Sequence, residues 1–286
     1  MPFDAALSSQ AALLLKTHVF YNRLAVFGVA SADSEDDPSL GGKLLYTGEL
    51  DGPGRALTIA GNIAGAATLT ASAEIDLQKQ AVRDGVVDFL VTSLDEALRI
   101  LKNEIRKRNT VAVCVSEGPE QITLEMQERG VQPDLLREQF TASGDELKSA
   151  DARDLSLFGQ VAEGVLTLWG VSSAAANWLP KLDAIALTCL DPEARSARRW
   201  LRLAPRYMGR MSQGVRLLVS GENFGAAFVE GVRRGVQCGE IGTQVQIQIT
   251  DRNSVEDYQF TPAMLTNAAE SELTRNLRPR GEPKVP

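Results

Sequence analysis

The sequence holds one histidine, His18, and three widely spaced cysteines, Cys114, Cys189 and Cys238. With no C-x-x-C pair and no second histidine, the usual zinc and dithiol centres are excluded, and no metal site is expected. Such cysteine usage fits a reduced, cytoplasmic compartment. Long apolar runs are missing too. The patch Ala11–Leu15 is broken by Lys16 and His18; it is too short for a membrane span and has no basic signal-peptide start before it. Positive charge is not in excess. With 30 Lys and Arg against 37 Asp and Glu, the net charge is −7, which argues against non-specific nucleic-acid binding. The G-x-G-x-x-G pattern is absent, as are the Tyr-Lys and His-acid pairs of an ordinary dehydrogenase.

What is present suits an α/β protein. A chain of 286 residues, 44% hydrophobic, has room for one large or two modest domains. Residues 1–47 read as a helix (Ala5–Thr17), an apolar strand (Leu24–Ala30) and an acidic loop (Ser31–Gly42) with Asp33, Glu35, Asp36 and Asp37. Residues 48–150 alternate. Ala56–Ala60, Ala71–Ile75, Val86–Val91 and Val111–Val115 are strand candidates, separated by helical stretches. Ser93 and Glu96 form a capping box, and Pro119 and Gly130 bracket another helix. Strands joined by helices of this length pair in parallel, so a Rossmann-like sheet is expected.

Residues 151–275 form a second α/β region, also expected to be parallel. Its strand candidates are Val165–Trp169, Ala184–Thr188, Val215–Ser220 and Thr243–Thr250. Its helix candidates are Asp191–Leu203 and Phe224–Arg234. Gln244, Gln246 and Gln248 alternate with Val245, Ile247 and Ile249, which suggests a strand at an edge or covering a surface. Arg195, Arg198, Arg199 and Arg202 share one helix face. That face is a solvated surface or a seat for an anionic ligand or partner. Pro279, Gly281, Pro283 and Pro286 mark residues 276–286 as a disordered tail.

The chemistry of the first region centres on a strand-to-helix turn at Gly61. Backbone N–H groups at such a turn can hold an anion, with Gly61, Asn62 and Gly65 as candidate cofactor-binding residues. The other reading is a tight turn without a ligand. Glu74 and Asp76 follow the next strand, where an acid can take a ribose diol or simply be solvated.

Several segments, taken in order, resemble the urocanase (urocanate hydratase) family. Gly48-Glu49-Leu50 and Gly54 to Gly61 resemble its opening strand and glycine turn. Glu74-Ile75-Asp76 resembles its E-V-D, and Thr92 to Leu98 its D-L-D-E-A-L. Arg129 to Asp134 resembles R-G-V-x-P-D. Gln139 to Asp145 is similar to Q-T-S-A-H-D, a segment at the family's nucleotide site. Fainter echoes follow: Ala186 to Glu193 for A-L-S-G-D-P-E, Val215 to Gly221 for A-R-I-C-W-x-G, and Ile247 to Asp251 near I-V-I-G-R-D-H.

The resemblance implies a trimmed relative, with NAD as cofactor and Gln139 and Thr141 joining its site. It also implies a hydro-lyase chemistry in which NAD⁺ acts as an electrophile and water is added. The family's chemical residues are largely replaced. Leu218 stands at its cysteine, Gly144 or Ser143 at its histidine, and Gly170 to Ser173 at its asparagine-rich loop. Of R-D-H only Asp251 remains, the one candidate catalytic residue. Two expectations follow. One is a urocanase-like protein that keeps NAD or nucleotide binding without urocanate hydration. The alternative is a non-catalytic oligomeric or regulatory scaffold. A homodimer is expected from the frequency of symmetric pairs.

Overall fold

The computed structural model describes residues 2–31, 39–141, 164–209, 213–251, 254–262 and 276–279. Its chain forms two compact units: Leu15–Ser149 with Leu203–Met211, and Met1–Leu14 with Ala150–Arg202 and Ser212–Pro286. Helix α1 spans Pro2–Ser31. Among the described residues, no helix is long and apolar enough to cross a membrane.

The first unit is built on β1 (Leu44–Glu49), β2 (Ala67–Ala71), β3 (Phe89–Val91), β4 (Val111–Val115) and β5 (Leu135–Leu136), in the order β3-β4-β2-β1-β5. All pairings are parallel. Helices α2 (Gly52–Ala64), α3 (Ile75–Arg83), α4 (Leu94–Arg106) and α5 (Pro119–Glu128) make the crossovers, and α6 (Glu138–Thr141) follows β5. A parallel sheet is covered on both faces, so its strands are apolar throughout; β4, Val-Ala-Val-Cys-Val, is buried at every residue. Leu44, Tyr46, Leu69 and Val113 meet Leu98, Leu101, Ile122 and Met126 of α4 and α5 in one core. Ser93 caps α4 by accepting from the Glu96 N–H, and Pro119 opens α5.

Helix α2 covers the opposite face, and here the expected elements shift. Ala56–Ala60 is helical, and the strand before it is Leu44–Glu49. Five buried residues, four of them apolar, carry neither a period of two nor of 3.6, so the run alone does not separate strand from helix. Asp51 as N-cap and Pro53 in the first turn start the helix. The same ambiguity moves Leu24–Ala30 into α1. Gly61 lies inside α2, where a side chain would put its Cβ 2.7 Å from a Leu45 methyl and 2.9 Å from the Thr68 hydroxyl. We expect Gly61→Val to destabilise the first unit by about 1–3 kcal/mol through overpacking. Chemical denaturation tests this, and an unchanged midpoint would refute it.

In the second unit, β6 (Val165–Val171), β7 (Val215–Ser220), β8 (Val245–Thr250), β9 (Ser254–Phe260) and β10 (Asn276–Pro279) form a sheet ordered β10-β9-β8-β6-β7. The α/β class holds, but every pairing is antiparallel, not parallel as expected. Helices α7 (Ala175–Cys189), α8 (Arg195–Met208, as far as Arg202) and α9 (Glu222–Gln237) complete it. Ala184–Thr188, expected as a strand, belongs to α7, which buries one face through Leu179, Leu182, Asp183 and Ala186. The glutamine-striped β8 is internal, flanked by β6 and β9. Asn276–Pro279, expected in a disordered tail, pairs with β9. Trp169 packs on Phe228 with ring centroids 4.8 Å apart, and Asp183 meets Arg216 at 3.1 Å. Of the arginine face, Arg198 donates to the carbonyls of Leu187 and Leu190, which end α7. Acidic residues 32–38 lie outside the described residues.

Candidate functional site

The chain runs from β1 to β2 on one side. After β4 it crosses to β5 on the other side of β1. That reversal is a topological switch point, and open α/β sheets bind ligands outside the carboxyl ends of the strands at such a crevice. Three segments lie at this edge: Gly48–Gly54 at the end of β1, Ser72–Glu74 after β2, and Arg137–Gln139 after β5.

The β1 end is shaped by an irregularity. Its register with β2 shifts between Tyr46 and Glu49, and Gly48 turns with φ +64°, a left-handed value that favours glycine. A bulge of this kind re-aims the residues that follow it. Thr70 donates its hydroxyl to the Gly48 carbonyl at 3.0 Å. Arg137 donates to the Glu49 carbonyl at 3.1 Å and to the Asp51 carboxylate at 2.8 Å. The other Asp51 oxygen, Oδ1, accepts from the Gly54 N–H at 2.8 Å. A Cβ at Gly54 would lie 1.8 Å from the Glu49 carbonyl oxygen, so the turn admits no side chain there.

Beneath the edge, burial and the negative charge of Glu49 push the Cys114 thiol up to about 12, so it stays protonated and no thiolate nucleophile forms. Burial first, then Glu138 and Glu49, raise the Tyr46 phenol, which donates to the Pro119 carbonyl at 2.9 Å.

The residues expected from sequence divide between this edge and elsewhere. Glu74 is exposed at the carboxyl end of β2, as the N-cap of α3, and Asp76 is exposed in the first turn of that helix. Gln139 lies just past β5, with its side-chain oxygen accepting from the Leu136 N–H at 3.1 Å. Thr141 ends α6, and residues 142–145 are outside the described set. Gly61, Asn62 and Gly65, expected at a strand-to-helix turn, lie instead in the last turns and at the cap of α2. Helix α2 starts at the carboxyl edge and runs back along the sheet, which puts Gly61 about 14 Å along the axis from Gly52. Gly65 is the left-handed C-cap of α2 at φ 94°. Asn62 donates to the Val86 carbonyl at 3.1 Å. These three residues pack and end the helix, far from the crevice. Sequence reading missed Asp51, Gly54 and Arg137. The string Asp51-Gly52-Pro53-Gly54 was the available signal, since it reads as a capped helix start.

Asp251 sits between β8 and β9, and Ser254 engages both of its carboxylate oxygens. Leu218 is fully buried in β7. His18 is 1% exposed in α1 and accepts from the Asn22 amide at 3.1 Å. Burial lowers its pKa from 6.5 to about 3, so the one imidazole in the chain is neutral at physiological pH. Among the described residues, no group of three or more His, Cys, Asp or Glu could hold a metal ion.

A five-stranded parallel sheet with its switch point beside the first strand defines a Rossmann-like domain. Residues 24–148 match the family model of the urocanase Rossmann-like domain. This stretch of the chain is similar to the Rossmann-like domain of the urocanases.

Proposed function

We propose that this urocanase-like protein binds NAD or a related nucleotide at the carboxyl edge of its Rossmann-like sheet without hydrating urocanate. The carrying observation is the switch point between β1 and β5, with exposed Glu74 at the end of the adjacent β2. A carboxylate in that position takes a ribose diol. Gln139 borders the same crevice.

NAD fits this donor set on its ribose side, where it would supply an electrophilic ring. The chain's residues argue against the hydration step. Imidazole acid–base work lacks a residue, because His18 is buried and uncharged. Asp251 is committed to its turn, and Leu218 offers no nucleophile. Two measurements test the reading. Glu74→Ala is expected to weaken nucleotide binding about tenfold, the scale of losing a hydrogen bond to a charged group, with the melting temperature of the free protein unchanged. Equal affinity in the folded variant would remove Glu74 from the site. Purified protein given urocanate and NAD⁺ is expected to show no loss of urocanate absorbance; measurable hydration would overturn the non-catalytic half.

A further inference from the structure

The β1–α2 turn carries its own anion. At the start of α2, Pro53 brings no N–H, and the Gly54 N–H is given to Asp51, which leaves Gly52 as the donor of the first three helical positions. The cation at this mouth, Arg137, is paired with the other oxygen of the same carboxylate. Its guanidinium also holds the Glu49 and Thr47 carbonyls. Asp51 thus sits where a ligand phosphate would, using both its N–H and its counter-charge. Acidic residues mark the same edge: Glu49 ends β1, and Glu74 and Glu117 follow β2 and β4. Resident carboxylate and incoming phosphate repel one another, and the repulsion grows as water is excluded.

We infer that Asp51 determines specificity in the crevice, so that the site takes the nucleoside part of its ligand and gains nothing from the phosphates. This rests on the nucleotide reading above. It places adenosine, ADP and NAD⁺ on a nearly common affinity scale for the native chain. It also identifies Asp51 as the group that keeps Arg137 from acting as a phosphate ligand.

Calorimetric titration of the full chain with adenosine, ADP and NAD⁺ tests this. In the native protein, adenosine and ADP should bind within about threefold of each other, a gap smaller than one hydrogen bond. Asp51→Asn keeps an N-cap of equal quality but removes the charge. It should tighten ADP over adenosine by about tenfold or more, the scale of a charge-assisted bond. The double variant Asp51→Asn with Arg137→Gln should lose that gain, whereas a merely structural Asp51 would leave the ADP-to-adenosine ratio alone in every variant. A native preference for ADP of tenfold, or an unchanged ratio in Asp51→Asn, would overturn the inference while leaving the nucleotide site standing. If neither adenosine, ADP nor NAD⁺ binds any variant shown to be folded, the site and the inference fall together.

Discussion

Gly54→Ala should unfold the first unit or cost it about 3–5 kcal/mol, among the largest effects a single substitution produces. Alanine usually improves a helix by about 1 kcal/mol over glycine, so helix propensity alone predicts the opposite sign. Geometry decides. The added carbon would lie 1.8 Å from the Glu49 carbonyl oxygen, well inside van der Waals contact, and that oxygen is held in place by Arg137. Relief requires β1 to move away from α2, which breaks the Asp51 cap and the Arg137 bonds together. Urea denaturation followed by circular dichroism measures the cost. A stability within 1 kcal/mol of the native chain would show that the turn can open and that its close approach is not obligatory. Gly52→Ala, two residues earlier with no neighbour within 4 Å, is the control and should be tolerated.

The second large effect is acid sensitivity through His18. Its folded pKa, about 3, lies below the 6.5 of the exposed imidazole. Above pH 6.5 both folded and unfolded forms are neutral, and the stability is fully present. As pH falls below 6.5, the unfolded chain takes up a proton that the folded chain refuses, so stability drops by up to about 1.4 kcal/mol per pH unit until about pH 3. Between pH 7.5 and 4.5 the loss should reach about 3 kcal/mol on that slope. Other carboxyls act in this range with their own signs. Asp84 has a lowered pKa despite its burial, through hydrogen bonds from Gln80 and Arg55 and the charge of Arg55; it loses stability only at lower pH. Asp183, raised chiefly by burial, gains stability on acidification. Comparing the native chain with His18→Gln isolates the imidazole. Parallel pH profiles for the two would refute the buried neutral histidine.

Where local chemistry specifies an element, the sequence was readable. Strand β4 follows from five consecutive small apolar and β-branched residues, α4 from the Ser93–Glu96 cap, and α5 from Pro119 and Gly130. The likeness of residues 24–148 to the urocanase Rossmann-like domain was legible for the same reason, since the matching motifs are local strings. Reading failed on short, mostly apolar runs that lie in helices, namely Leu24–Ala30, Ala56–Ala60 and Ala184–Thr188. A run of five to seven residues is too short for its period to separate a helix from a strand. Strand β9, Ser-Val-Glu-Asp-Tyr-Gln-Phe, is mostly half-exposed along its length and lacks a clean alternation. The antiparallel second sheet was unreadable because α7 and α8 both lie between β6 and β7, a length that suits a parallel crossover.

The site followed the same division. The strand expected at Ala71–Ile75 ends at Ala71, and Glu74 instead opens α3. The Asp51–Arg137 pair could not be placed, because 86 residues separate its members and only the β1–β5 pairing joins them. Misplacing the first strand by one element also moved the expected glycine turn from Gly54 to Gly61, to the wrong end of α2.

Thermal unfolding of the purified, nucleotide-free chain with and without saturating NAD⁺, repeated on Glu74→Ala, tests the central claim most directly. Ligand at about a hundred times its Kd stabilises a protein by roughly 2.7 kcal/mol. The account predicts a clear upward shift in the native chain and a smaller one in Glu74→Ala at the same NAD⁺ concentration. No shift in the native chain, or an equal shift in both, would contradict a nucleotide site at the carboxyl edge of this sheet.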